Sequence, residues 1–304
     1  MSLAFTKMHG AGNDFVIVDC RAAPLPLDAA AIRRLGDRHF GVGFDQLLSI
    51  EPATDGISAW AYGIWNTDGS RSGQCGNGVR CIAAWLGRAG LLGPGATRLQ
   101  SPSGAVLVEL LDDGRVRVDM GEPRFAPKDV PLDERAAIGH SASFASHDQG
   151  GGTRDGSGSG PHDPHPTRYL IDVAGQHIEI GAVSMGNPHA LIEVDDVATA
   201  SVGSLGPLVE QAMAFPRGCN VGFAEVRARD AIALRVWERG VGETLACGSG
   251  ACAAVAVLRQ RDRVDADVHV ALPGGTLDIH WDGPGHTLWM TGPTAFVFEG
   301  TWHD

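Results

Sequence analysis

The chain has 304 residues, of which 43% are hydrophobic and 20% are charged, and its formal net charge is −12. This length and composition indicate a globular protein with room for two domains, each with its own core. A surface this negative argues against nucleic acid as a partner. The longest fully apolar run, Ala251–Leu258, is far too short to cross a bilayer, so no membrane partner is expected either.

The six cysteines favour reduced thiols over a disulfide scaffold, because they are few and scattered for a chain of this length. No Cys-x-x-Cys pair occurs, and the two closest pairs do not have the spacing of a zinc site, so we expect no metal. No signal-peptide pattern opens the sequence, and we therefore expect a cytoplasmic protein. The cysteines are Cys20, Cys75, Cys81, Cys219, Cys247 and Cys252.

The residue patterns predict many strands and two buried helices. Each helix follows a Cys-Gly-x-Gly segment and is apolar on nearly every face, so it must be buried on every face. Because strands outnumber helices, we expect a sheet wrapped around one helix in each half of the chain. In chain order the predicted elements are a helix from Val79, two strands around an Asp-Gly turn in Val106–Met120, strands in Tyr169–Gly186 and Ala231–Gly240, a helix over Ala251–Gln260, and a hairpin in Thr276–Gly292.

The segment Gly139–Pro166 interrupts this pattern, since it consists almost entirely of Gly, Ser, His, Asp and Pro. It cannot bury enough apolar surface to offset the entropy lost on ordering. We therefore predict a flexible surface insertion, in which the four histidines belong to a solvated loop rather than to a metal site.

A weak internal repeat divides the chain into two similar halves. The segment CGNGVRCIAAWL at Cys75 resembles CGSGACAAVAVL at Cys247, an offset of 172 residues, and the Gly-Asn pairs that end at Asn13 and Asn187 are 174 residues apart. A polar residue, Asn66 or Glu238, stands nine positions before each of these two cysteines. The nearly constant offset predicts two copies of one domain.

The two Cys-Gly-x-Gly segments carry the predicted chemistry. A helix N-terminus binds a carboxylate and lowers the pKa of a thiol beside it. Thiols in equivalent places of a duplicated domain, Cys75 and Cys247, would face one cleft from opposite sides. Such a pair suits the inversion of a stereocentre next to a carboxylate, with a base on one face of the carbon and an acid on the other.

Six segments resemble the diaminopimelate epimerase family, and together they extend over essentially the whole chain outside the insertion. The pattern N-x-D-G-S-x4-C-G-N-G-x-R is complete from Asn66 to Arg80. The six segments are KMHGAGNDF (Lys7–Phe15), GFDQLL (Gly43–Leu48), NTDGSRSGQCGNGVRC (Asn66–Cys81), MGNPHA (Met185–Ala190), FPRGCNVGF (Phe215–Phe223) and RVWERGVGETLACGSGA (Arg235–Ala251).

This resemblance implies a cofactor-independent epimerase that interconverts LL- and meso-diaminopimelate for lysine and peptidoglycan precursor biosynthesis. It implies that the protein needs neither pyridoxal phosphate nor metal, and that it is a homodimer. The expected fold is α/β (α+β), with two pseudo-symmetric domains, each a mixed sheet or barrel around a central apolar helix, and an active site in the cleft between them. The last strand is expected to return to the first domain, so residues 1–120 with 293–304 form one domain and residues 121–292 form the other.

The resemblance also assigns roles to individual residues. Cys75 and Cys247 are the expected acid/base pair, and His189 and Glu238 are expected to tune the thiol pKa values. We expect the backbone N–H groups at the two helix starts to stabilise charge on the substrate carboxylate. The expected substrate contacts are Asn13, Gln46, Asn66, Gly76, Asn77, Asn187, Asn220, Glu238, Arg239, Gly248 and Ser249.

Each of these residues also has a simpler interpretation. His189 beside Pro188 could be a hydrogen-bonded core histidine, Asn66 a turn residue, and Arg239 a member of a surface ion pair. The cysteines outside the two motif starts are expected to be core thiols. Cys219 departs from the family pattern immediately before Asn220, and either a reactive bystander thiol or a packed core thiol fits it.

Three other functions compete with the epimerase. A proline or hydroxyproline racemase shares the duplicated fold and the two thiols, but its substrates lack a second amino-acid head. A redox sensor could use Cys75 and Cys247 as a reversible disulfide. A catalytically inactive binding protein would be expected to have lost a thiol or the ERGVGET segment, and both are present.

Overall fold

The computed structural model describes residues 2–73, 75–93, 95–141 and 168–303. The first half contains strands β1 (Ser2–Gly10), β2 (Asn13–Asp19), β3 (Gln46–Pro52), β4 (Trp60–Asn66), β5 (Ala96–Ser101), β6 (Gly104–Leu110) and β7 (Val116–Asp119), with helices α1 (Ala29–Gly36) and α2 (Gly76–Arg88). A single 3₁₀ turn, Glu134–Ala136, then leads into the second half.

The described part of the second half contains more strands and two further helices. The strands are β8 (Ala137–Ser141), β9 (Arg168–Val173), β10 (Gln176–Ser184), β11 (Pro188–Glu193), β12 (Asn220–Ala228), β13 (Ala231–Glu238), β14 (Gly242–Thr244), β15 (Asp267–Leu272), β16 (Gly275–His280), β17 (Trp289–Gly292) and β18 (Ala295–His303). The helices are α3 (Val202–Glu210) and α4 (Gly248–Gln260).

The same ladder of strands occurs twice. In the first half, β1 and β2 are antiparallel, β2 and β3 parallel, β3 and β4 antiparallel, β4 and β5 parallel, and β5, β6 and β7 antiparallel. In the second half, β10, β11, β12, β13, β15, β16 and β17 repeat that sequence of directions step for step. The repeat detected in the sequence is therefore a repeat of structure.

The two apolar helices occupy corresponding places in this ladder and are buried as predicted. Helix α2 lies between β4 and β5 in the chain, and α4 lies between β14 and β15. From Gly250 to Leu258 every residue of α4 is buried, which explains why no polar face is visible in its sequence. Both helices belong to one hydrophobic core that extends through the two halves.

The sequence patterns do not predict α1 and α3, which lie against the outer faces of the strands. Alternate residues of β2 pack into two different cores. Phe15 and Ile17 belong to the central core with α2. Val16 and Val18 belong to a separate core that includes Ile32 of α1. Strands β11 and β12 divide their residues in the same way between the central core and a core around α3. The sheets are therefore covered on both faces, which is why the strands read as nearly continuous apolar runs.

Two pairings connect the halves. Strand β7 pairs with β17, its counterpart in the repeat, and β18 returns to the first half by pairing with β1 over Ser2–His9. The predicted insertion lies outside the described residues, except for Gly139–Ser141, whose backbone ends β8. That short part is a strand rather than a loop, because it pairs with the start of β9.

Candidate active site

Both motif cysteines lie immediately before the first residue of a buried helix. Cys75 precedes α2 in an extended conformation, and its Sγ accepts a hydrogen bond from the Gly78 N–H at 3.3 Å. Cys247 precedes α4 in the same conformation. Each thiol is thus held at the positive end of a helix dipole, as the sequence predicts.

The two helix starts approach each other closely, with Met290 of β17 between them. A Cβ atom on Gly76 would lie 2.9 Å from Met290 Cε, and one on Gly248 would lie 3.1 Å from Met290 Sδ and 3.4 Å from Asn77 Oδ1. The glycines of the Cys-Gly-x-Gly segments therefore permit close packing of the two helix starts.

A single cavity of about 1520 Å³ opens over these helix starts and is lined by residues of both halves. Of the site residues that the sequence analysis predicts, His189 is the one that does not line this cavity. The predicted residues that do line it are Asn13, Gln46, Asn66, Cys75, Gly76, Asn77, Asn187, Asn220, Glu238, Arg239, Cys247, Gly248 and Ser249.

The strand ladder places the first-half residues on this wall. Asn13 is the first residue of β2, and its Oδ1 accepts hydrogen bonds from Asn77 Nδ2 at 3.2 Å and from the Cys75 thiol at 3.8 Å. Gln46 begins β3 opposite Asn66 at the end of β4, and Gln46 Nε2 donates to Asn66 Oδ1 at 3.0 Å. These amides form a polar wall beside Cys75.

Glu238 occupies the matching place in the second half, at the end of β13. Its Oε2 accepts a hydrogen bond from the Cys247 thiol at 3.2 Å, and its Oε1 accepts one from Thr244 Oγ1 at 2.6 Å. Ser249 Oγ also lies 3.6 Å from Cys247 Sγ. Cys247 therefore has a carboxylate as its neighbour, whereas Cys75 has an amide.

The remaining second-half residues form a linked group. Asn220 begins β12, and its Oδ1 accepts a hydrogen bond from the Arg239 backbone N–H at 3.0 Å. The Arg239 guanidinium donates to the Arg217 carbonyl at 3.0 Å, and Arg239 is one of the residues that line the cavity. His189 Nε2 donates to Asn187 Oδ1 at 3.0 Å.

His189 is buried and does not line the cavity. Burial, together with the nearby Arg239 cation, lowers the pKa of His189 to about 3, so its imidazole is neutral near pH 7. Within the described ranges its hydrogen bond goes to Asn187 and not to either cysteine. Its expected part in tuning the thiols stays a prediction.

Burial is the largest influence on both thiols of the cavity and raises their pKa values. The pKa of Cys75 rises to about 11, because the Gly78 N–H and the Arg80 cation only partly oppose the loss of solvent. The pKa of Cys247 is raised well above its ordinary value by burial and then by the Glu238 carboxylate. The backbone N–H groups at the two helix starts lower both pKa values, but desolvation outweighs them, so the net shift of each pKa is upward.

Three neighbours of the site are absent from the predicted set, although each lies within a segment that resembles the family. Asp45, in GFDQLL, accepts a hydrogen bond from Asn13 Nδ2 at 2.8 Å. Thr244, in ERGVGET, donates a hydrogen bond from its Oγ1 to Glu238 Oε1. Arg80 ends the CGNGVR segment and is fully buried behind the helix starts.

The other cysteines are core thiols, as expected. Cys81 and Cys252 are fully buried in the central core, and Cys20 is buried in the core next to α1. Cys219 is also fully buried, with Val209 as a packing neighbour, so it fits the packed interpretation. In the part of the chain that the structure describes, no three His, Cys, Asp or Glu side chains are grouped to hold a metal ion, and no helix is long and apolar enough to span a membrane.

Solved structures of low sequence identity share this duplicated fold. A hydroxyproline epimerase from Agrobacterium vitis superimposes with a TM-score of 0.63 at 14% identity, covering 99% of this chain and 92% of that one. A PhzF-family phenazine biosynthesis protein from Bacillus anthracis gives a TM-score of 0.66 at 13% identity and full coverage of both chains. By its fold, the chain therefore belongs to the structural class that these two proteins share.

Sequence comparison narrows this class to one family. The family profile of diaminopimelate epimerase matches residues 5–126 and 181–297, so the chain belongs to the diaminopimelate epimerase family. It is 51% identical over 302 residues to the diaminopimelate epimerase of Xanthomonas axonopodis pv. citri, covering 99% of this chain and 96% of that protein. It is also 48% identical over 301 residues to an O-ureido-serine racemase of Streptomyces lavendulae, covering 99% and 95%.

Proposed function

We propose that the protein interconverts LL- and meso-2,6-diaminopimelate without pyridoxal phosphate or metal, as a step of lysine and peptidoglycan precursor biosynthesis. One observation carries this proposal: Cys75 and Cys247 stand at matching helix starts of a duplicated fold and line the same cavity. Family membership, with half of the residues identical to a named diaminopimelate epimerase, supports the same activity.

In the proposed reaction, one thiolate removes the proton from the α-carbon and becomes a thiol. The α-carbon becomes planar while its electron pair passes into the carboxylate, and the opposite thiol then gives its proton to the other face and becomes a thiolate. The thiol that acts as the base changes with the direction of the reaction. Glu238 is a proton acceptor next to the Cys247 thiol, and the Gly78 N–H and the Arg80 cation stabilise the thiolate of Cys75.

The reacting carboxylate belongs, in this proposal, at the paired helix starts. The backbone N–H groups of Gly76, Asn77, Gly248 and Ser249 have helix dipoles behind them and border the cavity. Removal of the α-proton adds negative charge to this carboxylate, so the N–H groups stabilise the transition state more than the bound substrate.

The other cavity residues suit the second amino-acid head of diaminopimelate. Arg239 can form two parallel hydrogen bonds with its carboxylate, and the oxygens of Asn66 and Asn187 can accept from its ammonium. Asn13, Gln46 and Asn220 complete the proposed contacts. A ureido group is neutral and offers the Arg239 cation no charged partner, so Arg239 favours diaminopimelate over O-ureido-serine as the substrate.

The larger organisation is part of the same proposal. We divide the chain into one domain of residues 1–120 with 293–304 and a second domain of residues 121–292, which agrees with the return of β18 to β1. The exposed apolar side chains of Val297 and Phe298 on β18 support a homodimer. Two thiols that must stay reduced support a cytoplasmic location.

The test is to incubate the reduced protein with LL-diaminopimelate in D₂O, without added cofactor, and to follow α-deuterium and meso product. We expect both in the wild type and no epimerisation in Cys75→Ala or Cys247→Ala. Cys20→Ala, which removes a core thiol away from the cavity, is the control and should stay active. Exchange with O-ureido-serine or proline but not with diaminopimelate would overturn the substrate assignment. Cycling of a Cys75–Cys247 disulfide without any exchange would point to a redox sensor.

A further inference from the structure

Arg80 is a fully buried cation without a counterion. It lies on the second turn of α2 with no exposed surface, and no carboxylate forms an ion pair with it in the described ranges. Its Nη1 makes long contacts with the Gly76 carbonyl at 3.4 Å and Met290 Sδ at 3.6 Å. Its Nε and Nη2 have no hydrogen-bond partner among the described residues.

The backbone around Arg80 leaves room for this guanidinium and for little else. A Cβ atom on Gly10 would lie 3.1 Å from Nη2, and one on Gly292 would lie 3.0 Å from Nε. An unpaired buried charge destabilises a fold strongly, and an apolar side chain of similar length would avoid that cost. A packing role therefore does not account for an arginine at this position.

Arg80 lies next to the two helix starts that border the cavity. Met290, which contacts its Nη1, also lies against Gly76 and Gly248 at the two helix starts. The guanidinium is separated from the cavity by these first helical turns and is not part of the cavity wall. Its positive charge therefore acts in the same direction as the N-terminal ends of α2 and α4, through a medium in which charge is poorly screened.

We propose that Arg80 is a positioning residue whose buried charge strengthens the anion-binding field of the paired helix starts, so that they hold the substrate α-carboxylate and the charge it gains when the α-proton leaves. This inference rests on the proposed function for its substrate. Arg80 does not touch the substrate, and the anionic substrate supplies the counterion that the protein itself does not provide. A gain of negative charge during the reaction makes this stabilisation larger in the transition state than in the bound state.

The test compares Arg80→Met, which keeps the length and removes the charge, with Arg80→Lys, which keeps a charge. We expect Arg80→Met to melt at the same or a higher temperature than the wild type while kcat for diaminopimelate falls roughly 10- to 100-fold and KM changes less. Arg80→Lys should recover part of kcat. Ile82→Val, a packing change on the same helix, is the control and should leave kcat unchanged.

A second readout needs no substrate. The ionisable groups that act on Cys75 are Glu238 from β13, Tyr62 from β4, and Arg80 and Cys81 from α2. Loss of the Arg80 cation should therefore move the pH dependence of Cys75 alkylation by iodoacetamide, followed by mass mapping, to higher pH in Arg80→Met but not in Ile82→Val.

The outcomes separate the two proposals. A wild-type protein that is inactive on diaminopimelate would overturn the proposed function, while the alkylation shift would still report on the field of Arg80. An Arg80→Met protein with wild-type kcat and an unshifted alkylation profile would overturn the inference. So would an Arg80→Met protein that fails to fold while Arg80→Lys folds, because the charge would then serve the fold.

Discussion

At the scale of single residues, the two thiols differ in the group that each one meets. Cys247 donates to the Glu238 carboxylate, whereas Cys75 donates to the Asn13 amide oxygen. An amide side chain can turn over and present its NH₂ group instead. The orientation of Asn13 must therefore be set by its other contacts.

Asp45 and Asn77 set that orientation. Asp45 Oδ2 accepts hydrogen bonds from Asn13 Nδ2 at 2.8 Å and from the Asp14 backbone N–H at 3.0 Å, and Arg38 donates to Asp45 Oδ1 at 2.7 Å. Asn77 Nδ2 donates to Asn13 Oδ1 at 3.2 Å. The carboxylate keeps the NH₂ group of Asn13 on its own side and directs Asn13 Oδ1 toward Cys75. Asp45 thus acts on the thiol through Asn13.

The substitution Asp45→Ala should lower kcat/KM by about tenfold, because Asn13 then loses one of the two contacts that fix its orientation beside Cys75. Steady-state epimerisation assays measure this effect. Asp55→Ala, which removes a carboxylate that caps an exposed turn, is the matched control and should leave kcat/KM unchanged. Equal kcat/KM values for Asp45→Ala and the wild type would show that Asn13 needs no such support.

At the scale of elements, glycines let turns of the two halves meet next to the cavity. The turn between β1 and β2 packs against the turn between β15 and β16. A Cβ atom on Gly274 would lie 2.0 Å from the Ala11 carbonyl oxygen, and one on Gly12 would lie 3.2 Å from Gly274 Cα. Because Asn13 follows directly after the first turn, this contact between the halves also positions a residue of the site.

The substitution Gly274→Ala should therefore reduce both stability and activity. The new methyl group must displace backbone rather than a movable side chain, which costs about 1–3 kcal/mol of unfolding free energy. The displaced turn carries Asn13 with it, so kcat/KM should fall about tenfold or more. Urea unfolding and epimerisation assays measure the two effects. Gly203→Ala in α3, where a Cβ meets nothing within 4 Å, is the control: it should leave kcat/KM unchanged and should not lower the free energy of unfolding.

At the scale of the whole molecule, burial acts on every thiol in the same direction. All six cysteines are free, and burial raises the pKa of each one. Above about pH 9 the thiols of the unfolded chain ionise while those of the folded chain stay protonated. The unfolded state then binds fewer protons, so this contribution to stability is complete below about pH 9 and is lost as the pH rises.

The free energy of unfolding should therefore fall above about pH 9 by about 1.4 kcal/mol per pH unit for each buried thiol. Urea unfolding between about pH 8 and about pH 10, with reductant present, measures this slope. Cys219→Ala removes one core thiol and should make the slope shallower by one thiol's share. A variant slope as steep as that of the wild type would show that buried thiols do not govern the alkaline limit.

The features that the sequence predicts correctly depend on residues close together in the chain. The two Cys-Gly-x-Gly segments predicted that α2 and α4 follow, because a glycine-rich turn before an apolar run is local information. Both helices begin three residues earlier than the predicted starts at Val79 and Ala251. The constant offset of the repeat predicted the duplicated fold. The helices α1 and α3 escaped prediction, since α1 is only eight residues long and α3 contains glycines and Pro207.

Features that depend on residues far apart in the chain are visible only in the folded protein. The pKa of Cys75 rises because packing from both halves removes water, and this desolvation exceeds the helix effect that the sequence predicts. Asp45 accepts a hydrogen bond from Asn13, which lies 32 residues away in the chain. Arg80 has no ion-pair partner among the described residues, because the fold brings no carboxylate next to it. The desolvation of a side chain and its ion-pair partners both depend on all of its neighbours in space, and these neighbours are known only once the chain is folded.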